Sequence, residues 1–338
     1  MKTNENPRIL FLGDMMLGEN VYHLGRGIRS RYGHDYKSFI PEKIRDTLLD
    51  GVDAVFYNFE YSLAPDSYQF DDFEQSIYAS TVASLDVFPA GLVKIVNVAN
   101  NHFWERGAER TAFTLAALKE HGFVVVGVSN KPVRLAIKGK NFLIWGVSLI
   151  DWDVPVFTAE YNDLIDKMEI PDQKKDDEIW IASIHWGTEF ITYPNREQVK
   201  LAHELIGHGF DVVHGHHPHV FQKIQFPTTS SLIMYSMGNF VFDENFARET
   251  QKSYCLKVGF GESLTCEAML MTNRNYRPCS IRQVDCKSLI IKPDKYWSGV
   301  KKRITKKAYN TLRKMEYISH IADNNFYIYK ALKNRKNK

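Results

Sequence analysis

Short apolar runs alternate with longer amphipathic stretches along roughly the first 240 residues, the rhythm of an α/β chain. The runs predict strands over 8–13, 53–59, 94–99, 124–128, 142–149, 180–185 and 210–214, and the stretches between them predict helices over 41–49, 80–89, 108–121 and 195–206. The last helix carries its own punctuation. Asn195 stands at the N-cap and Gln198 at the capping-box position, Val199, Ala202, Leu205 and Ile206 form an apolar stripe, and Gly207 and Gly209 end it. Beyond about residue 220 the pattern becomes β-hairpin-like, over 231–235, 239–242, 253–259, 263–271 and 279–285. Two acidic and polar stretches, 61–76 and 152–175, read as long loops over a site.

The unusual polar residues fall where these strands end. Asp14 follows the first, Asn58 and Glu60 end the second, Asn100, Asn101 and His102 follow the third, and His185 ends the sixth. After the seventh come His214-Gly215-His216-His217-Pro218-His219, four of the 12 histidines in 338 residues. Ligands of open α/β sheets bind at the carboxyl ends of strands, so one pocket would collect these segments. Residues two apart on an extended segment face the same way, so His217 and His219 can converge on one metal ion. The plainer alternative is a polar turn whose histidines bond to backbone. Two carboxylates, Asp14 and Glu60, the Asn101 side-chain oxygen and the imidazoles of His185, His217 and His219 make an inventory for one or two divalent ions, Mn, Zn or Fe, with one carboxylate shared between them. His102, beside Asn101, is then free to act as a general acid.

Composition narrows the class. The apolar fraction of 44% and charged fraction of 25% are those of a globular protein. No run approaches the ~20 apolar residues of a membrane helix, and the apolar run of 9–12 is too short for a signal-peptide core, which predicts a cytoplasmic protein. The four cysteines lack C-x-x-C spacing and read as reduced thiols, with pairing among them left open. The overall charge of +3 hides an asymmetry: from residue 301 onward twelve Lys and Arg face only Glu316 and Asp323, so the rest of the chain is acidic. Residues 291–338 therefore read as a basic amphipathic helical extension of a 1–290 domain, either packed on the body through its aromatics or lying on an anionic membrane surface or acidic polymer. No nucleic-acid partner is expected. No G-x-x-x-x-G-K-[ST] loop is present, which argues against the chain activating a substrate with ATP by itself.

Six ordered segments carry a resemblance. They are Gly13-Asp14-Met15-Met16-Leu17-Gly18, Asn58-Phe59-Glu60, Asn100-Asn101-His102, His185-Trp186-Gly187-Thr188-Glu189, Gly215-His216-His217-Pro218-His219-Val220 with Gln222, and Ser236-Met237-Gly238-Asn239-Phe240 with Phe242. In this order they resemble the CapA family of bacterial poly-γ-glutamate or capsule synthesis proteins, which look like divergent calcineurin-type metallophosphoesterases. The resemblance implies a four-layer αββα sandwich. It implies Asp14 as a first-metal ligand, Glu60 as the bridging acid, Asn101, His185, His217 and His219 as further ligands, and His102 as the acid, with His216 a rival to His217. Asn58, Asn100, Glu189 and Asn239 stand as additional candidates, Asn239 as a brace for the site and Glu189 as a hydrogen-bond partner of a ligand histidine.

Two positions depart from the phosphoesterase pattern. Met16 stands where those enzymes carry a histidine, and Glu60 replaces an aspartate; Glu105 stands where the family usually has an aspartate after its N-N-H block. The expected function is a metal-dependent hydrolase or transferase acting on an anionic exopolymer or its precursor. The polymer stays open among poly-γ-glutamate, a phosphate-containing capsule and a substituted glycan. The alternative is a non-catalytic polymer-binding accessory subunit that docks on capsule synthase machinery or the inner membrane face through the basic tail. Arg26, Arg29 and Arg31 either grip the polymer or form a solvated basic face. Trp186 and Phe190 read as lid or core before substrate stacking.

Overall fold

The computed structural model describes residues 6–150 and 156–291. The predicted basic extension therefore lies outside the described residues, apart from its first position. The strands, in chain order, are β1 (Arg8–Met15), β2 (Ala54–Phe59), β3 (Ser62–Ala64), β4 (Ala79–Thr81), β5 (Val93–Asn97), β6 (Phe123–Val126), β7 (Val133–Ile137), β8 (Lys140–Ser148), β9 (Glu178–His185), β10 (Val212–His216), β11 (Phe221–Thr228), β12 (Ser231–Met237), β13 (Asn239–Val241), β14 (Lys252–Phe260), β15 (Leu264–Arg274) and β16 (Arg277–Val284). The helices are α1 (Ile28–Tyr32), α2 (Glu42–Leu49), α3 (Phe73–Ser76), α4 (Gly107–Glu120), α5 (Leu164–Lys167) and α6 (Arg196–Gly207). The architecture is mixed α/β. One sheet runs β16-β15-β14-β1-β2-β5-β6 with β13 also on β1; the other runs β11-β12-β10-β9-β8-β7; β3 and β4 form a small parallel pair.

Alternation along the buried strands builds three apolar layers. Ile9 and Phe11 of β1 pack with Phe142 and Ile144 of β8 and Val212 of β10 in a core shared by both sheets. Their neighbours Leu10 and Leu12 join Ile44 and Leu48 of α2 and Leu118 of α4 on the far side of the first sheet. Leu143, Trp145 and Val213 meet Leu201, Ala202 and Leu205 of α6 on the far side of the second. Strands covered on both faces read as continuous apolar runs rather than as alternating patterns, which is why the sequence marked their existence so clearly.

The predicted helix over 80–89 is a correction. Its start is β4, held by the parallel register of Leu63 with Ser80, and a 3₁₀ turn over Val82–Val87 follows, with Ser84 Oγ donating to the Thr81 carbonyl. Tertiary strand pairing overrides the local helical pattern here. The stretch 239–242 is not a hairpin arm either: β13 lies parallel to β1, pairing Asp14 with Asn239. Among the described residues no helix is long and apolar enough to cross a membrane.

Candidate metal centre

The candidate metal-ligating and acid residues named from the sequence lie at the strand ends on one side of the two sheets. Asp14 is brought there by β1 and Asn58 by the β2 position paired with it; Glu60 leaves β2, and the Asn100–His102 loop follows β5. His185 and His216 are paired neighbours at the ends of β9 and β10. Close approach makes this geometry possible at Gly13, where a Cβ would lie 1.7 Å from the Gly238 carbonyl oxygen. Asp14 N–H then donates to that same carbonyl at 2.9 Å.

An amide network holds the carboxylates in place. Asn58 Nδ2 donates to Asp14 Oδ1 at 2.8 Å and to Glu60 Oε2 at 2.9 Å, and Asn58 Oδ1 accepts from Asn100 Nδ2 at 3.1 Å. The second Glu60 oxygen, Oε1, is buried without a hydrogen-bond partner. Three imidazole Nε2 atoms surround it: His185 and His219 at 3.8 Å and His102 at 4.0 Å. Asn101 stands between two of these rings, with Oδ1 2.8 Å from His185 Nε2 and Nδ2 3.2 Å from His102 Nε2. His102 Nδ1 meets Glu105 at 2.8 Å, and the ring stacks on Tyr78 with centroids 3.6 Å apart.

The histidine block does not run on as a strand. β10 stops at His216, and both His217 and His219 adopt positive φ, 93° and 55°. This left-handed backbone costs a non-glycine residue on the order of 1–3 kcal/mol and is found where function over-determines the geometry. His217 and His219 thus approach one another through a strained turn, not through the pleat the sequence suggested. With Glu189 they offer three ligand atoms within 4.8 Å of one another, and Asp14, Glu60 and His185 offer a second such group. His216 is fully buried, with Nδ1 3.4 Å from Asp14 Oδ1 and neither ring nitrogen in an aligned hydrogen bond. His214 lies apart from both groups: its Nε2 meets the Leu12 carbonyl at 2.8 Å and its ring packs edge-on against Phe11 and Phe56.

The electrostatics call for positive charge at this point. Burial pushes the His219 imidazole down, but Glu244, Glu60 and Asp14 together outweigh it and raise its pKa to about 10. Burial, reinforced by His219, drives His217 down to about 3, and burial holds His185 well below the usual imidazole range. Burial would raise Asp14, yet its contacts with His216 and His219 bring it below the ordinary carboxylate value. Neutral His185 and His217 beside an ionised Asp14 are the forms in which these groups ligate metals, whereas burial raises Glu60 well above the usual carboxylate range and His219 keeps its proton, so an ion entering here would displace protons from both. Buried polar atoms without partners, here Glu60 Oε1, His217 Nδ1 and both nitrogens of His216, are costly unless something shared satisfies them. A divalent cation fits this donor set.

Other positions resolve more simply. Met16, at the histidine position of the phosphoesterase pattern, is buried in the apolar layer beneath the first sheet, and its Sδ accepts from Gly18 N–H. Asn239 braces His219, accepting at Oδ1 from its Nδ1 at 2.8 Å and donating to Glu244 at 3.0 Å. Trp186 is core, its Nε1 donating to the Tyr235 carbonyl, while Phe190 flanks His219 with ring centroids 6.1 Å apart. Arg29 spends its donors internally, on Glu19 and the carbonyls of Ser76 and Ala79. Gln222 ties down the loop after His185 through the carbonyls of Ile191 and Tyr193. The sequence reading missed Tyr78 and Glu244. Tyr78 sits in a loop remote from every motif; Glu244, two residues after Phe242, carried a signal in its closeness to the final motif.

Comparison with known proteins gives the chain its relatives. Residues 8–244 match the family described as bacterial capsule synthesis protein PGA_cap. The capsule biosynthesis protein CapA of Bacillus anthracis is 30% identical over 73% of this chain and 62% of its own length. The PGA biosynthesis protein CapA of Bacillus subtilis is 26% identical over 70% of this chain and 64% of its own. A probable polyglutamine synthesis accessory protein of Mycobacterium tuberculosis is 25% identical over 70% of this chain and 74% of its own. The chain thus spans under two thirds of the length of either Bacillus relative. A solved protein of Thermus thermophilus, TT1561, overlays with a TM-score of 0.37 at 12% identity, covering 74% of this chain and 94% of that one. The family match runs from the start of β1 to Glu244 and so takes in all six strand-end motifs that meet around Glu60: the chain belongs to the bacterial capsule synthesis protein family.

Proposed function

We propose that this chain is a metal-dependent hydrolase or transferase that works in the synthesis, release or remodelling of an anionic exopolymer such as poly-γ-glutamate, or of its precursor. One observation carries the reading: the buried, unpartnered Oε1 of Glu60 with three imidazole Nε2 atoms about 4 Å away. Asp14, Glu60, Asn101 and His185 would hold one ion, and His217 and His219 with Glu189 a second, with His216 at the margin of both. Mn, Zn and Fe all accept such an oxygen and nitrogen set. A cation held there supplies Lewis acidity for attack on a phosphoryl or acyl centre. His102 is the proton carrier. Its Nδ1 is committed to Glu105, Tyr78 fixes the plane of its ring, and Nε2 is left facing the Glu60 side of the pocket. The two sheets with helices on their outer faces correspond, in this reading, to the four-layer αββα sandwich of metallo-dependent phosphatases.

The test is elemental analysis of the purified protein, paired with Mn²⁺-supplemented turnover of a chromogenic phosphodiester and size analysis of poly-γ-glutamate. The expected result is bound metal and a metal-dependent reaction that His102→Ala abolishes while metal is retained. Absence of stoichiometric metal after reconstitution with Mn²⁺, Zn²⁺ and Fe²⁺ would sink the proposal.

A second reading has its own support. Met16 packs into the core where phosphoesterases place a histidine, and one relative is named an accessory protein. The chain would then bind polymer without turning it over, docking on synthase machinery or an anionic inner membrane face through its basic residues beyond 300. Bound metal and polymer affinity without turnover would favour it.

A further inference from the structure

Cys266 and Cys286 face each other far from the metal centre, across the last strand pair of the first sheet. The antiparallel register pairs Ala268 with Val284 and Met269 with Gln283, and the same register carried two residues further sets Cys266 opposite Cys286. Both side chains lie on the face that turns toward the core between the sheets, beside Leu264, Ala268 and Val284. Directly opposed residues hold their Cβ atoms about 4.5–5.5 Å apart, at the upper edge of what a disulfide spans. The 3₁₀ turn over Cys286–Leu289, capped by Asp285 on Lys287 N–H at 2.9 Å, begins at Cys286, and the two sulfurs stand 2.7 Å apart, inside the contact distance of unbonded sulfurs and within reach of bond formation. Both residues are half-buried, so a small oxidant reaches them. Cys255 is fully buried and Cys279 lies elsewhere on the exposed side, with its Sγ against the Thr272 carbonyl.

We propose that Cys266 and Cys286 are a redox-sensitive pair that closes to a disulfide by exchange with a disulfide oxidant. The Cys286 thiolate attacks one sulfur of the oxidant R–S–S–R and expels R–S⁻. The Cys266 thiol then gives up its proton and displaces the second R–S⁻ from the mixed disulfide. Two protein thiols are oxidised and one oxidant disulfide is reduced to two thiols. The same balance holds with the two cysteines exchanged.

The consequence is structural. After Cys286 the chain crosses from the first sheet to the second, where Ile290 bridges Ile224 of β11 and Ile291 N–H donates to the Ile224 carbonyl at 2.9 Å. Leu289, buried in the core between the sheets, is the anchor of this crossing. A bond at Cys266–Cys286 fixes the crossing covalently at its start and closes a loop of 20 residues. Such a closure raises the melting temperature by roughly 4–5 °C. This inference does not depend on what the metal centre does.

The experiment treats the full chain with oxidised glutathione or with dithiothreitol, then counts thiols after denaturation and maps cross-linked peptides by mass. The expected result is loss of two thiols, a single linked pair of peptides containing Cys266 and Cys286, and the higher melting temperature in the oxidised sample. Cys286→Ser should leave Cys266 unlinked and melt alike in both conditions, while Cys279→Ser should behave as the parent. Free Cys266 and Cys286 after oxidation, a linkage through Cys255 or Cys279, or equal melting of the linked and reduced parent would each overturn the proposal.

Discussion

Single atoms decide two properties at the residue scale. Gly13 has no room for a side chain, because any Cβ would lie within 1.7 Å of a backbone oxygen that also accepts the Asp14 N–H bond. Gly13→Ala must therefore push β1 away from the Gly238 turn, and we expect a loss on the order of 3 kcal/mol or more, read by urea unfolding, with metal binding weakened in the surviving protein. His23 offers a pH test outside the metal centre. Burial, aided by Arg26 and Arg31, lowers its pKa to about 4, while Asp243, 3.9 Å away, is itself raised by burial and so offers little charge to oppose this. The unfolded chain then binds a proton near pH 6.5 that the folded chain refuses until about pH 4. The stability this neutral ring contributes is complete above pH 6.5 and is lost as the pH falls through that window, with a slope of at most ~1.4 kcal/mol per pH unit. His23→Gln keeps a donor for Asn20 and should flatten the slope between pH 6.5 and 4; an unchanged profile would show that His23 does not carry it.

Legibility varied from element to element for physical reasons. Helix α6 was readable because its ends are local chemistry: Asn195 Oδ1 accepts from Gln198 N–H at 2.8 Å, and the Gln198 side chain returns a bond to Asn195 N–H at 2.9 Å. Asn195→Ala should cost about 1 kcal/mol and lower the melting temperature by about 1–2 °C, read by thermal unfolding. By contrast, β4 and β13 are three-residue strands fixed by distant partners, β3 and β1, and no local pattern announces them. The site shows the same division. The positions of Asp14, Glu60 and His185 follow from strand ends, which periodicity reveals. The turn at His217 and His219 depends on backbone strain imposed by its surroundings, and the Tyr78 stack on His102 depends on a loop folding back, so neither had a signal within its own segment.

Across the whole molecule, the two sheets hold opposite walls of one charged pocket, so the centre couples their packing. Asp14 and Glu60 belong to the first sheet, His185, His217 and His219 to the second, and the shared apolar core lies between. An ion bridging these walls would bind the folded chain and have little affinity for a chain in which the five residues are scattered. Stability should therefore rise with free metal by mass action, by about 2.7 kcal/mol at a concentration one hundred times the dissociation constant. For a chain of this size that is a shift of about 4 °C in melting temperature, reversed by a chelator. His217→Ala removes one donor from the second-sheet wall and should shrink the metal-induced shift while leaving the chelated protein near the parent's melting point, since the Nδ1 of His217 makes no hydrogen bond that the fold would miss. Equal shifts in parent and variant would mean that the ion sits on the Asp14, Glu60 and His185 side alone. The first sheet's departure at Met16 would then be no obstacle to a single-ion centre, and the histidine block would owe its strained turn to substrate rather than to metal.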